Sequence, residues 1–389
     1  MISALQLACG LQQKIQSISG QHGSRIHVGH CSAASAVPRQ GAMISIASTT
    51  LSHSSPDGIF MLELGVTMSI SLFRLSLFTF AMSASALSHA ADKLVLQTTW
   101  VAQAEQGGYY QAVATGIYKK YGLDVEVRSG GPQLNNMTLL LAKRADVIIS
   151  YDLQVLQGIA KNFPLKAIAA PFQFDPQGII THSDVDSLAS LKGKTVLVSA
   201  SGQASWWPWL KSKYQLNDGQ VRPYTFNMQP FLADKNTAQQ AYATSEVQQI
   251  KAVRPDSKFY LFADYGYPAY GGILVTRDDL LAEKPDVMKR FVAASMEGWK
   301  SYLSDPQPGN TLIKKENPQM TDAVLAFGVG QLKTLHLIEG GDAAKQGIGA
   351  MTPARWQATR DFMVNAGLLN KSVNWQNAFT TQFYPQPAL

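Results

Sequence analysis

The stretch from Trp100 to Tyr109 has the residue types of a ligand-binding loop. Trp100 follows a short apolar strand, and Glu105-Gln106-Gly107-Gly108-Tyr109 opens the next helix. An aromatic ring can stack on a flat ligand, while a carboxyl and an amide can hydrogen-bond its polar edge. Two glycines let the backbone approach closely, and the free N–H groups of a helix start suit an electron-rich group. An ordinary flexible turn explains Gly107-Gly108 equally well on spacing alone.

Polar and aromatic residues also follow other predicted strands. Tyr151 comes after the third strand and Phe172 after the fourth. Ser201 belongs to a hydroxyl-rich stretch, 199–205, whose place ahead of a helix suits a hydrogen-bond acceptor. Aromatic rings at the mouth of a sheet are either ligand contacts or core packing, and the sequence leaves both open.

The middle of the chain adds three candidates. Trp206 begins Trp206-Trp207-Pro208-Trp209, and we expect one of these tryptophans to line a cleft while the others pack. Glu246 either pairs with a ligand amino group or is a solvated carboxylate. Tyr265 precedes the return to an apolar strand, in a segment that reads as a hinge turn, a ligand wall or both.

Signals for catalysis and for metal binding are missing from residues 91–389. His182 and His336 stand far apart, and neither has a Cys-x-x-Cys or His-x-x-x-His partner, so we expect no metal site. The nucleophile elbow, the phosphate loop and the dinucleotide-binding turn are all absent. We therefore predict a binding protein with no catalytic residue and no cofactor.

The order of the elements predicts how these residues are positioned. Strand and helix patterns alternate over 94–170 and again over 179–276, which indicates two α/β series with mostly parallel sheets. Residues 230–244 are predicted as a helix within the second series, and the chain beyond 285 is predicted as mainly helical. In such folds ligands bind at the carboxyl ends of the strands, in the crevice between lobes.

The first 90 residues differ from the rest. A short basic segment from Met68 to Arg74, an apolar run to Leu87 and small residues up to Ala90 predict a signal peptide over 68–90, cleaved near Ala90. A buried core helix is the alternative reading of this apolar run. A membrane-spanning helix is not expected, because it needs about 20 apolar residues and this run is shorter. We expect either that translation starts at Met68, so that residues 1–67 are an upstream over-read that is not translated, or that these residues are a long leader. We therefore expect a soluble, periplasmic protein.

Composition supports a globular protein without nucleic-acid affinity. Hydrophobic residues make up 46% and charged residues 15%, and the formal charge of +6 is spread along the chain without a basic stripe. Both cysteines, Cys9 and Cys31, precede the predicted cleavage site. The exported chain would therefore have no disulfide and no lipid-anchoring cysteine.

Several stretches resemble a known family. They include Trp100…Glu105-Gln-Gly-Gly-Tyr-Tyr-Gln-Ala112, Tyr118 to Val125, Tyr242-Ala-Thr-Ser-Glu246 and Ala263-Asp-Tyr-Gly266. These resemble the thiamine-pyrimidine-precursor branch of the nitrate/sulfonate/taurine-type solute-binding proteins. The resemblance covers essentially residues 92–389.

The resemblance implies a type II periplasmic-binding-protein fold. Lobe one would hold 91–181 and 272–389, including a helical C-terminal tail, and lobe two 182–271. Two crossovers near 180–183 and 270–273 would form the hinge. The protein would be a monomeric receptor that hands a small pyrimidine or related planar heterocycle to an ABC permease and its ATPase.

The family motif assigns ligand contacts to several of the residues above: Trp100, Glu105, Gln106, Tyr109 and Glu246. A Pro and a His flank the early glutamate in that branch, whereas Ala104 and Gln106 stand here. A sulfonate or other small anion is the closest alternative ligand. A pyrimidine-synthesising enzyme shares the fold but carries a cysteine-rich iron motif, and residues 91–389 have no cysteine.

Overall fold

The computed structural model describes residues 90–384, and its strands form two five-stranded sheets. The strands are β1 (Asp92–Gln97), β2 (Leu123–Arg128), β3 (Val147–Ser150), β4 (Leu165–Ala169), β5 (Gln177–Thr181), β6 (Thr195–Val198), β7 (Val221–Pro223), β8 (Thr237–Tyr242), β9 (Lys258–Leu261) and β10 (Ile273–Arg277). The predicted signal peptide and the segment before it lie outside the described residues.

Helices connect and cover the two sheets. They are α1 (Gly107–Ala114), α2 (Ile117–Lys120), α3 (Asn136–Leu141), α4 (Asp152–Ala160), α5 (Ala200–Ala204), α6 (Trp206–Tyr214), α7 (Gln229–Ala233), α8 (Glu246–Val253), α9 (Asp278–Glu283), α10 (Pro285–Ser304), α11 (Gln307–Glu316), α12 (Asp322–Thr334), α13 (Ala343–Gln346) and α14 (Pro353–Asn365). Across 90–384, none of them has the length and apolar character needed to cross a membrane.

The two sheets share one topology. The first sheet has the order β2-β1-β3-β10-β4 and the second β7-β6-β8-β5-β9. In the first sheet β1 pairs in parallel with β2 and β3, and β10 runs antiparallel to both of its neighbours, β3 and β4, so that four of the five strands share one direction. In the second, β6 pairs in parallel with β7 and β8, and β5 is the antiparallel strand. The predicted α/β class with mostly parallel sheets is confirmed.

The chain crosses between the sheets twice, after β4 and after β9. The crossing segments run side by side, because Phe172 and Gly271 form an antiparallel bridge. The boundary predicted at 181/182 therefore differs from the topology, which already places β5 in the second sheet. An apolar run such as Ile179-Ile180 has no local signal for which of two sheets it will join, since both offer the same buried environment.

The helix predicted over 230–244 is wrong. Only α7 is helical there, and Thr237–Tyr242 forms β8 between β6 and β5 in the centre of the second sheet. The strand is buried along almost its whole length, including Gln239 and Gln240. A strand covered on both faces loses the polar–apolar alternation that identifies strands, while Ala and Gln favour helices by propensity.

The long helix α10 packs tightly on α1. A Cβ at Gly107 would overlap the ring of Tyr302, and one at Gly108 would overlap the ring of Trp299. Both rings belong to the core formed by the first sheet and the C-terminal helices. The two glycines are therefore required by helix packing, a reason that the sequence alone did not suggest.

Candidate functional site

A small cavity lies where the carboxyl ends of β1, β3 and β8 meet the two crossing segments. It is lined by Thr99, Glu105, Gln106, Tyr109, Ile149, Tyr151, Phe172, Pro176, Tyr242 and Gly272. The structure thus brings together five of the predicted site residues, Glu105, Gln106, Tyr109, Tyr151 and Phe172. The cavity measures about 20 Å³, which is room for about one water molecule.

The turn that carries Glu105 is fixed by its own side chains. Residues Ala104–Gln106 form a short 3-10 helix, and the Gln106 side chain accepts a hydrogen bond from the backbone N–H of Gln103 at 3.1 Å. Gln103 completes this capping box from its side. The Gln106 amide therefore holds the loop in shape as well as lining the cavity.

Glu105 is the most unusual residue of the cavity. It is buried, its Oε1 accepts a hydrogen bond from the Thr244 hydroxyl, and its Oε2 is buried without a hydrogen-bond partner within residues 90–384. Burial raises the pKa of Glu105 to about 7; the Thr244 hydrogen bond opposes the increase, and the nearby Glu246 charge adds to it. Near neutral pH this carboxyl can hold a proton, and it can then both donate and accept hydrogen bonds.

Two tyrosines join the two halves of the cavity. The hydroxyl of Tyr151, at the end of β3, lies 2.5 Å from the hydroxyl of Tyr242, at the end of β8. Burial raises the pKa of both phenols above the usual value, so both stay protonated at physiological pH. Together with the pair formed by Glu105 and Thr244, this contact links elements of the first sheet to elements of the second.

Glu246 lies behind the cavity and is not part of its lining. Its carboxylate accepts hydrogen bonds from the Ser245 hydroxyl (2.7 Å), the Tyr242 backbone (3.1 Å) and the Tyr224 hydroxyl (3.4 Å). Burial raises its pKa, and the hydrogen bonds from Ser245 and Tyr242 oppose this. Glu246 therefore affects the site in two ways. Its charge raises the pKa of Glu105, and its hydrogen bond holds the backbone of Tyr242.

The other predicted contacts lie elsewhere. Trp100 stacks on Tyr224, with ring centroids 5.7 Å apart, and lies in the hydrophobic cluster beneath α8. Ser201 lines a separate groove beside the cavity. Tyr265 is half-buried on the second crossing segment, edge-to-face with Tyr260 at 6.0 Å, and does not line the cavity.

The tryptophan segment also differs from expectation. Trp206, Trp207 and Trp209 are all buried, and all belong to one hydrophobic cluster. Trp206 packs on Phe262 at 4.8 Å, whereas the indole N–H of Trp207 reaches the carboxylate of Asp218 at 2.8 Å. None of the three is among the residues that line the cavity, because the cluster is wide enough to take all of them.

Sequence reasoning missed Thr99, Tyr242 and Thr244 as site residues. Tyr242 and Thr244 were noticed only as part of the motif around Glu246. If Thr237–Tyr242 had been identified as a strand, both residues would have fallen at its carboxyl end, where ligands bind in α/β folds.

Within residues 90–384 no group of three or more His, Cys, Asp and Glu side chains could hold a metal ion.

Comparison with known proteins gives a family and relatives. The family model described as "NMT1/THI5 like" matches residues 103–308. The riboflavin-binding protein RibY of Chloroflexus aurantiacus is 25% identical over 305 residues, covering 76% of this chain and 86% of the relative. The formylaminopyrimidine-binding protein of Halalkalibacterium halodurans is 21% identical over 244 residues, covering 59% of this chain and 73% of the relative.

Solved structures share the fold. The alkanesulfonate-binding protein SsuA of Xanthomonas axonopodis pv. citri, bound to MOPS, superposes with a TM-score of 0.57 at 13% identity, covering 76% of this chain and 100% of that one. A Candida albicans gene product described as having the generic periplasmic binding protein fold gives 0.55 at 16% identity, with 76% and 98% covered. The desulfurization enzyme DSZB gives 0.50 at 13% identity, with 75% and 97% covered. At these identities the likeness shows only the fold, which is the periplasmic binding protein fold.

Proposed function

This chain belongs to the NMT1/THI5-like family, and from that premise we propose that it is the periplasmic solute-binding receptor of an ABC importer. Its ligand is a small planar nitrogen heterocycle, a pyrimidine or a related ring, held in the cavity between the two sheets. The receptor works as a monomer with an inner-membrane permease and ATPase. It binds its ligand and catalyses no reaction.

The observation that carries this proposal is the buried carboxyl of Glu105 among aromatic side chains. Its Oε2 has no partner, and a buried polar atom left unpaired costs about 1–3 kcal/mol. An aminopyrimidine edge presents a ring nitrogen beside an amino group. A protonated carboxyl donates to the first and accepts from the second, so such a ring satisfies Glu105 while Tyr109 and Phe172 contact its faces.

The relatives support the same ligand class. Riboflavin and formylaminopyrimidine, the ligands in the names of two relatives, are both planar nitrogen heterocycles. An anion fits less well, because the cavity lining has no Arg or Lys and Glu105 and Glu246 lie close by. A sulfonate would therefore find no cation in the lining, and Glu105 would repel it once ionised.

Ligand entry requires the two sheets to separate. The cavity of about 20 Å³ is too small for a ring, and the contacts of Glu105 with Thr244 and of Tyr151 with Tyr242 close it. We place the hinge in the two crossing segments, 170–176 and 262–272, and a lobe around each sheet. Opening breaks these contacts and widens the cavity, and a bound ring then stabilises a closed form in which it takes the place of these contacts.

Ligand-dependent thermal unfolding of residues 91–389 tests the proposal. We expect aminopyrimidines or flavins to raise the melting temperature by several degrees, and sulfonates and nitrate to leave it unchanged. Replacing Glu105 by Leu should abolish the shift without lowering the melting temperature of the free protein, since it removes a buried carboxyl. Glu126→Gln, an exposed position on β2, is the matched control.

A shift with sulfonates alone would contradict the heterocycle proposal. An equal ligand shift in wild type and Glu105→Leu would show that Glu105 does not contact the ligand.

A further inference from the structure

A groove of about 290 Å³ lies directly beside the ring cavity; we call it the side groove. Helices α3 and α4 form one wall. Helix α5, which follows strand β6 of the second sheet, forms the other. Thr99 lines both the side groove and the ring cavity, so the two spaces adjoin at this residue. A group attached to a ring in the cavity would enter the side groove past Thr99.

The lining of the side groove combines polar and apolar side chains and is almost uncharged. Four amide and three hydroxyl side chains face it, among them Gln154, Gln157 and Ser201. Lys161 is its one charged residue, and it is exposed. Amides and hydroxyls can both donate and accept hydrogen bonds, which matches the needs of a chain of hydroxyl groups.

Asn136 supplies an independent sign that a ligand group is expected here. This lining residue is only 8% exposed, and its Nδ2 donates to the backbone carbonyls of Ile149 (3.1 Å) and Gln97 (3.4 Å). These two contacts fix the orientation of the amide. Its Oδ1 is left buried without a hydrogen-bond partner among the described residues, so a donor such as a hydroxyl would satisfy it.

We propose that the side groove binds an uncharged, hydroxylated chain attached to the heterocycle, so that the preferred ligand is a ring carrying a sugar or a sugar alcohol. The proposal rests on the proposed function, since the ring must occupy the adjoining cavity. The two walls belong to elements of different sheets, and Gln154 already reaches the carbonyl of Ser201 across the groove at 3.3 Å. A bound chain would therefore contact both walls in the closed form.

Calorimetric titration with matched ligand pairs tests this inference. The pairs are riboflavin with lumiflavin, which has a methyl group in place of the ribityl chain, and cytidine with cytosine. In at least one pair the chain-bearing member should bind at least tenfold more tightly. Ser201→Ala and Gln157→Ala should each weaken binding of that member about three- to tenfold and leave the bare ring unchanged. Gln203→Ala, exposed on the same helix as Ser201 and outside the groove, is the matched control.

Asn136→Ala should also weaken binding of the chain-bearing ligand relative to the bare ring. Circular dichroism checks that this variant is folded. Equal binding of both members of each pair, unaffected by the groove variants, would overturn the side-groove proposal and leave the proposed function intact. Binding of neither rings nor chain-bearing rings would overturn both. The monophosphates of riboflavin and cytidine serve as anionic probes. If they bind more tightly than the uncharged ligands, and this preference is lost in Lys161→Ala, the chain that the groove binds is anionic and the proposal of an uncharged chain is overturned.

Discussion

Glu105 combines features that are rarely found together in a stable protein. Its carboxyl is buried, only one of its oxygens has a hydrogen-bond partner among the described residues, and the like charge of Glu246 lies nearby. Burial is the main reason why its pKa rises to about 7; the charge of Glu246 adds to the increase and the Thr244 hydrogen bond opposes it. A group of this kind is poorly suited to structural support and well suited to recognising a ligand edge that both accepts and donates.

Ligand affinity should therefore depend on pH through Glu105. For a ring that does not titrate between pH 6 and 8, such as 2-aminopyrimidine, affinity should fall as pH rises above about 7, by at most about tenfold per pH unit. The reason is that the ionised carboxylate can no longer donate to the ring nitrogen. Titration calorimetry at pH 6, 7 and 8 measures this.

The Glu105→Gln variant separates the proton from the shape of the side chain. An amide keeps one donor and one acceptor at every pH, so its affinity should be nearly constant over the same range. Affinity of the wild type that increases with pH would contradict the donor role assigned to Glu105.

At the scale of elements, the contact between α1 and α10 positions the site. Glu105 and Gln106 immediately precede α1, and the glycines at its start let it lie against Trp299 and Tyr302. Gly298 of α10 makes the reciprocal approach, since a Cβ there would overlap the carbonyl of Gly108. Close packing of this kind leaves no room for even one methyl group.

Two helical glycines should thus respond in opposite ways to substitution by alanine. Gly108→Ala should destabilise the protein by about 1–3 kcal/mol, because its methyl group overlaps the indole of Trp299. Gly330→Ala, within α12 and with open space around it, should stabilise by about 0.5–1 kcal/mol through helix propensity. Denaturant unfolding measures both, and a neutral Gly108→Ala would refute the packing argument.

At the scale of the whole molecule, buried carboxyls gather around the cavity and the hinge. Burial raises the pKa of Asp175 to about 8, opposed by the Gln177 backbone hydrogen bond and increased by the charge of Asp152. Burial likewise raises the pKa of Asp152 to about 6, although the backbone N–H of Tyr270 and the hydroxyl of Thr359 donate to it. Asp152 thus attaches the second crossing segment to α4 and α14, whereas Asp175 holds the turn that leads from the first crossing segment into β5 through Gln177.

The free energy of unfolding should fall as pH rises from about 4.5 to 8. In this range the folded state holds protons on Glu105, Asp152 and Asp175 that the unfolded state has released, so the slope of stability against pH is negative. Urea unfolding at pH 5, 6, 7 and 8 measures the slope. Glu105→Gln and Asp175→Asn should each flatten it, and a stability that rises over this range would refute the assignment.

The sequence by itself determined the α/β class and the family resemblance, and it predicted that the loop from Glu105 to Tyr109 belongs to the candidate site. These are carried by local signals: alternating apolar patterns, a helix start, and a motif of neighbouring residues. It also predicted Tyr151 and Phe172, which line the cavity, because residues directly after strands gather at one edge of a parallel sheet.

Only the tertiary structure decided which segments face each other. β8 was predicted as a helix, because burial on both faces erases the strand pattern, and with it Tyr242 and Thr244 were lost from the site. The membership of β5 in the second sheet, the burial of all three tryptophans and the use of Gly107 and Gly108 in packing likewise depend on partners distant in sequence. Contacts between residues distant in sequence leave no local period, so they emerge only when the chain is folded.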